Sequence, residues 1–435
     1  MEADLNVLQW SAEVQAALPH VEGYAYPNET HVLWSVLIVI YPYITGLVAG
    51  AFIMASLVRV FNVRALAPVY RLALLTALAF LICAPLPLLL HIGHPERCLQ
   101  VMMTPHLSSP MAMFGFVYAW YMMAVLLLEL WLDYRHDFVV WGRTEPGLKG
   151  AFYRMLTLGA NDISPKALDL DERMSVAVTI IGIPSAFLLH GYVGFIFGSI
   201  KANPWWGNVL MPVIFIFSAI VSGIALCVFI YTELSWFRRK DTCDACLDAM
   251  GKFLFFALLV DFSVEALDWL HRLYSADESI HVLKQLAAGK LFYTMLIGQL
   301  CLGTLIPLGL LGATQLFGAQ IPNFVRRRIY YFSALLIMAG VLLMRWNVVI
   351  GGQLFSKSLR GFTTFKLELA GQEGWLVGLG LLVLPFLILT LLVRLFLPNE
   401  KDQPANTPTI AQLPQLAREG NGADDPAHER PSVAL

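Results

Sequence analysis

The sequence predicts an all-α integral membrane protein with about nine transmembrane helices. Composition is the first observation behind this: 58% of the 435 residues are hydrophobic, only 14% are charged, and the mean hydropathy is +0.66. Soluble domains carry about a quarter charged residues. The second is that the apolar residues fall into long blocks, each close to the roughly 20 residues that cross a bilayer core. The third is that Lys and Arg are sorted unevenly between the intervening loops. Helices are the expected form because lipid offers no partner to an open backbone group.

The expected spans run roughly Val32–Val60, Tyr70–His91, Pro110–Leu132, Met174–Ile200, Asn208–Phe237, Phe253–His271, Leu291–Phe317, Ile329–Trp346 and Trp375–Leu397. Several exceed the minimum length, which implies tilt or extension past the bilayer. Residues 32–397 therefore form the transmembrane domain. Residues 1–31 precede it, acidic and without the positive n-region of a cleavable signal peptide. Residues 398–435 follow as a tail rich in Pro, Asn, Asp and Gly, which reads as disordered. The long loop from Asp133 to Arg173 is expected to carry a short surface helix around Leu148–Leu156.

Orientation follows from the loop charges. Alternating along the chain, one side collects 20 of the 29 Lys and Arg residues and the other 8, with Arg345 inside a span. The rich side includes the Arg238-Arg239-Lys240 and Arg326-Arg327-Arg328 runs. The N-terminus is thus expected in the periplasm and the C-terminus in the cytoplasm, across a bacterial inner membrane.

Several chemistries lack their sequence signals. There is no glycine-rich phosphate loop, nucleophile elbow or zinc-ligand spacing. A net charge of -2 gives no reason to expect nucleic acid. Of six cysteines only Cys243 and Cys246 form a CxxC pair. An iron–sulfur cluster needs four ligands, so the pair reads as reduced cytoplasmic thiols, with a redox or metal role as the alternative.

Ionisable residues at membrane depth are costly and mark sites or pathways. The second span ends in His91-Ile92-Gly93-His94-Pro95-Glu96-Arg97, where histidine offers proton exchange near neutral pH; the plain alternative is an interfacial loop. The sixth span carries Asp261, Glu265 and Asp268, at spacings of four and three that put them on one inward face. They read as a proton relay or as structural ion pairs with Arg345 or His271. Arg345 closes the eighth span and could neutralise an acid or donate to a carbonyl; the bland reading is snorkelling. His190 and Gln299 lie deeper, and Tyr41 sits within the first span. Glu129 and Glu233, near cytoplasmic ends, read as interfacial. His91 and His190 are the one pair that could be considered for haem, at poorly matching depths.

Arg345-Trp346-Asn347-Val348-Val349-Ile350-Gly351-Gly352-Gln353 resembles the signature of the NrfD-like, or polysulfide reductase membrane-subunit (PsrC), family. So do His190-Gly191-Tyr192-Val193-Gly194-Phe195-Ile196-Phe197-Gly198 with Trp205-Trp206, and Gly46-Leu47-Val48-Ala49-Gly50-Ala51. Gly93-His94-Pro95-Glu96-Arg97 with Thr104-Pro105-His106 and Ser108-Ser109-Pro110-Met111 also fits. The nearest branches are membrane subunits of sulfite-reduction-associated complexes (DsrP-like) and of periplasm-facing hydrogenases (HybB-like). The resemblance implies two helical bundles, a menaquinone or ubiquinone pocket near the periplasmic face, and no haem or iron–sulfur cluster in this chain. It implies electron exchange with a periplasmic ferredoxin-like iron–sulfur subunit, alongside other membrane or cytochrome subunits. The resemblance puts Tyr41 where polysulfide reductase-type members carry a histidine.

The sequence therefore leads to a quinone-handling membrane anchor. Tyr41, His91, His94, Arg97 and Ser109 are its expected quinone-binding residues; Asp261, Glu265, Arg345 and His190 are its expected proton relay; no residue is expected to hold a metal. A membrane cytochrome b subunit and a proton or solute transporter are the alternatives.

Overall fold

The computed structural model describes residues 32, 34–104, 109–239, 241–275, 279–355 and 361–397. The expected N-terminal segment and C-terminal tail, and the Pro105-His106 and Ser108 positions of the resemblance, lie outside them. The chain divides into two compact units. One holds residues 32–131 and 176–393, the other residues 132–175 with the segment from Arg394 onward.

Among the described residues, eight helical segments are long and apolar enough to cross a membrane, including Val36–Arg59, Pro165–Gly198, Met211–Phe237 and Trp375–Phe396. The sixth expected span is present as a helix, Asp244–Ser275. Its 32 residues suffice in length, about 48 Å at 1.5 Å per residue. It carries five acids, Asp244, Asp248, Asp261, Glu265 and Asp268, together with Lys252 and Arg272, and so falls short of the apolarity of the other eight. Among the described residues the only β-pairing is an isolated bridge between Phe355 and Phe362.

In the larger unit, helix α1 (Val36–Arg59) is central. It is apolar on all sides and almost wholly buried, as a helix surrounded by others must be. Its amino end is closed by Ser35, whose Oγ accepts from the Leu37 N–H at 3.3 Å. The second span is broken into α2 (Tyr70–Cys83) and α3 (Leu86–His91), where Pro85 lacks the N–H that would continue the ladder. After α4 (Cys98–Met103), the third span starts as α5 (Pro110–Ala119), widens into a π-helical stretch at Trp120–Leu126, and resumes as α6 (Leu127–Thr144). Following α7 (Gly147–Leu156) and α8 (Pro165–Gly198) come α9 (Met211–Phe237), α10 (Asp244–Ser275) and α11 (Ile280–Ala288). A second π-helical stretch, Phe292–Leu305, leads into α12 (Ile306–Phe317). Helices α13 (Asn323–Val349) and α14 (Trp375–Phe396) are the last among the described residues.

Two glycine crossings set the packing around α1 and α13. A Cβ on Gly50 would lie 2.1 Å from the Ala219 carbonyl oxygen, and one on Gly223 would lie 2.3 Å from the Gly50 Cα. Helices α1 and α9 thus touch backbone to backbone. Gly303 and Gly340 do the same for the second π-helical stretch and α13, with a built Cβ 2.5 Å from the facing Cα. Membrane helices associate through such small-residue contacts because lipid supplies no hydrophobic drive between them.

The smaller unit replaces much of the expected long loop. Helix α6 continues helical to Thr144, α8 begins at Pro165, and α7 matches the predicted surface helix. Arg135 ties the region together: Nε donates to Asp171 Oδ2 at 2.7 Å and Nη1 to the Ala160 carbonyl at 3.2 Å. The Tyr153 hydroxyl donates to the Leu395 carbonyl at 2.8 Å.

Candidate functional site

Arg345 is wholly buried near the end of α13, with 0% of its surface exposed. Nη2 donates to Ser218 Oγ at 2.6 Å and lies 3.0 Å from His190 Nε2. Nη1 meets Met344 Sδ at 3.1 Å. The guanidinium sits 3.9 Å from the centre of the Phe215 ring, a cation–π contact strengthened by the dry surroundings. His190 stacks on the same ring. Because Arg345 can only donate, Nε2 of His190 must accept, which puts the imidazole proton on Nδ1. That Nδ1 is buried without a hydrogen-bond partner among the described residues, and so are Arg345 Nε and Asp261 Oδ1.

Small residues make this centre possible. A Cβ on Gly46 would lie 3.0 Å from His190 Cε1, so the glycine of α1 leaves the space the imidazole fills. Two of the sequence signatures meet here and again at the neighbouring loop. Trp206 Nε1 donates to the Val348 carbonyl at 2.6 Å, and Asn203 Nδ2 donates to the Gly352 carbonyl at 2.7 Å. A Cβ on Gly352 would strike Trp206 Nε1 at 2.1 Å. Gly352 is thus a packing requirement for the tryptophan, and Gly351 for Leu291, whose Cδ1 would lie 2.7 Å from an added Cβ.

The acids of α10 share one side, as their spacing predicts. Asp261 and Asp268 are buried and Glu265 is half-buried. Asp261, Glu265 and Tyr43 lie within coulombic reach of Arg345. Yet Arg345 makes no ion pair among the described residues; its contacts are to neutral groups. Glu265 Oε2 accepts from Gln299 Nε2 at 3.2 Å, and Gln299 Oε1 accepts from Asn347 Nδ2 at 2.8 Å. Asp268 accepts from Arg272 Nε at 2.9 Å and from Asn208. Arg272 also donates to the Pro204 and Trp205 carbonyls at 2.6 and 3.1 Å. Asp268 is therefore a structural tie between α10 and the loop before α9. A cavity of about 60 Å³ reaches Glu265, Gln299 and Asn347. It has room for a few waters, not for a ring.

The remaining expected site residues lie elsewhere. His91 Nδ1 is 3.0 Å from Glu373 Oε1, and Gln372 Nε2 donates to the Leu90 carbonyl at 2.8 Å. His94, with 70% of its side chain exposed, pairs with Glu96 at 3.0 Å. Arg97 is exposed and Ser109 half-buried. A second cavity, about 360 Å³, opens between Trp34, Ser35 and Val36 at the start of α1 and Lys366, Gln372 and Glu373. Its volume falls within the range of ligand sites. Tyr41, His94, Arg97 and Ser109 are not among its lining residues. His91 and His190 face different partners, and among the described residues no three His, Cys, Asp or Glu side chains converge as a metal site.

Tyr41 is buried and lies within coulombic reach of Tyr118. Residues two apart on a helix point to nearly opposite sides, so Tyr43, not Tyr41, belongs to the Arg345 centre. Sequence reasoning missed Tyr43, Ser218 and Phe215. The signal was available for Tyr43: with Gly46 and Gly50 it forms a three-four spacing, one face of α1. Glu129, expected near a cytoplasmic span end, is fully buried between helices and accepts from the Thr179 hydroxyl at 2.8 Å.

Residues 26–357 match the family described as "Polysulphide reductase, NrfD". A selenate reductase subunit of Mesobacillus selenatarsenatis is 28% identical over 325 residues, covering 73% of this chain and 73% of that protein. A putative dimethyl sulfoxide reductase membrane subunit of Halobacterium salinarum is 27% identical over 228 residues, 51% of this chain and 48% of that one. Protein NrfD of Escherichia coli is 27% identical over 199 residues, 45% of this chain and 58% of that one.

Proposed function

The chain belongs to the polysulphide reductase NrfD family, and from that premise we propose that it is the quinone-handling membrane subunit of a multi-subunit respiratory reductase complex. It exchanges electrons between the quinone pool and a periplasmic, ferredoxin-like iron–sulfur subunit, in a complex of the sulfite-reduction-associated or hydrogenase type. The names of the selenate and dimethyl sulfoxide reductase relatives, each one subunit of a reductase, support a role within such an assembly. The N-terminus lies in the periplasm and the C-terminus in the cytoplasm of a bacterial inner membrane, as the loop charges favour.

The observation that carries this reading is a ligand-sized cavity at the start of α1, followed deeper along the same helix by the buried polar centre. Tyr43 is seven residues past Val36, about 10 Å along the axis. The cavity fits a quinone head group, menaquinone or ubiquinone. Trp34 and Phe365 give it aromatic walls, and Lys366 and Gln372 line it with hydrogen-bond donors. When bound, the quinone supplies two-electron, two-proton chemistry. Lys366 and Gln372 are the residues that would hold its oxygens, and the His91–Glu373 pair, joined to the cavity through Glu373, would be the group that takes up or gives protons there. His190 and Arg345 fix the charge of the centre, while Asp261 and Glu265 hold protons and Glu265, which lines the small cavity, passes them to water there.

The test is titration of the purified complex with a fluorescent quinol-site inhibitor. Saturable quenching that weakens in Gln372→Ala and His91→Ala supports the site. Absence of binding by a folded, complete complex removes the quinone role.

A further inference from the structure

The CxxC pair takes no part in the reading above, yet its geometry is that of a reactive dithiol. Cys243 immediately precedes α10 and Cys246 lies in its first turn. The turn is already closed: the N–H groups of Cys246 and Leu247 both donate to the Cys243 carbonyl at 3.1 Å. Three residues of helix advance about 4.5 Å along the axis and come back to nearly the same side, leaving Cα atoms about 5 Å apart. A disulfide accepts Cα separations of about 4.4 to 6.8 Å. Both thiols are free.

Exposure divides the two sulfurs into distinct roles. Cys243 is exposed and Cys246 is buried. An incoming molecule therefore meets Cys243, while Cys246 is shielded from it and within one turn. The surroundings hold this turn in place. The Cys243 N–H donates to the Tyr231 hydroxyl at 3.2 Å. Asp244 pairs with Arg327 at 2.5 Å and Asp248 with Arg326 at 2.7 Å. Closure between two already ordered residues forfeits little chain entropy.

We propose that Cys243 and Cys246 form a thiol–disulfide exchange site whose substrate class is low-molecular-weight disulfides. The Cys243 thiolate attacks one sulfur of the small disulfide, forming a mixed disulfide and releasing one small thiol. The Cys246 thiolate then attacks the Cys243 sulfur, forming the Cys243–Cys246 bond and releasing the second small thiol. One disulfide is reduced and two cysteines are oxidised; the two cysteine protons end on the two released thiols. With the Arg-rich loops in the cytoplasm, the pair faces a reducing compartment, where protein disulfides are transient and report redox state. The exchange rate depends on access to the attacking thiol and on the leaving group.

The experiment treats the complete complex with oxidised glutathione, alkylates the remaining thiols and maps peptides. Cys243 and Cys246 fall between Lys240 and Lys252, so one tryptic peptide reports both. The expected product is that peptide with both thiols lost, lighter by two hydrogens, with no glutathione retained and full reversal by dithiothreitol. Cys246→Ser should stop at a stable glutathione adduct on Cys243, and Cys243→Ser should leave Cys246 unmodified. A stable adduct on wild-type Cys243, a disulfide joining Cys246 to any cysteine other than Cys243, or a Cys243 that remains fully alkylatable would each overturn the proposal. These outcomes are read on the wild-type protein and do not depend on a variant folding.

Discussion

His190 and His91 are the same residue type in two different settings. His190 is enclosed by Arg345, Phe215 and Gly46, with no exposed surface. His91 sits at the end of α3, partly exposed and facing a single carboxylate. Around the first, Arg345 reaches His190 and Ser218 on two other helices, and removing it strands both. Around the second, water can replace a lost partner. The difference teaches that burial, more than residue identity, separates a rigid charge centre from a site able to accept a mobile ligand.

The sharpest way to break the comparison is Arg345→Leu. It leaves His190 Nε2 and Ser218 without their donor, and the acids of α10 without a compensating cation. Removing one partner of a buried charged network costs about 3–5 kcal/mol. The expected outcome is a large drop in thermal stability of the detergent-solubilised complex and loss of quinol-linked turnover. Arg345→Lys keeps the charge but not the planar fork, and should recover assembly without recovering turnover. A stable, active Arg345→Leu variant would show that the centre is dispensable.

Next in size is the pair Asp261→Asn and Glu265→Gln. Both keep shape and remove an ionisable proton. Proton transfer by a positioned side chain contributes about 10²–10⁴-fold, so turnover should fall by at least tenfold while inhibitor affinity and assembly stay near wild type. The same exchange at exposed His94, His94→Gln, should leave turnover within about twofold, as expected where water replaces the side chain. Equal losses at both places would erase the distinction between the regions.

Glycine substitutions sharpen it sterically. Gly46→Ala places a Cβ 3.0 Å from His190 Cε1, and overpacking of this kind costs about 1–3 kcal/mol. Gly93, at the end beside His94, has nothing within 4 Å of a built Cβ. Gly93→Ala should be neutral or stabilise by up to about 1 kcal/mol through the unfolded chain. Parallel melting curves of the two variants check this.

Much of this contrast was legible in the sequence, for physical reasons that can be named. Apolar blocks disclose spans because the bilayer demands length, and the four-three spacing of Asp261, Glu265 and Asp268 discloses a face because a helix repeats every 3.6 residues. What the period cannot disclose is which neighbour a face meets. Tyr41 and Tyr43 are equally plausible from composition; only the Gly46–Gly50 crossing against α9 selects Tyr43. Glu129 stands near the end of its expected span, and the sequence does not disclose that α6 runs on past it to Thr144. Polar helix extensions such as these carry no hydropathy signal; Arg135 and Asp171 hold theirs together across 36 positions of sequence.

The smallest expected effect comes from an ion pair outside both regions and serves as their control. Arg327 and Asn323 donate to Asp244 and hold its carboxyl below the usual carboxylate range. A carboxyl with a depressed folded pKa contributes stability that is fully present above its unfolded value, about 3.9, and is lost as pH falls through the folded value. The pair is partly exposed, so its contribution is at most about 1 kcal/mol. Asp244→Asn should therefore lower the melting temperature slightly and equally from pH 7 down to about pH 5. The gap between variant and wild type should close only as the medium becomes more acid than the unfolded carboxyl. A gap that closes near pH 6 instead would mean that the variant had disturbed a different group, and that the end of α10 is coupled to the buried acids farther along the same helix.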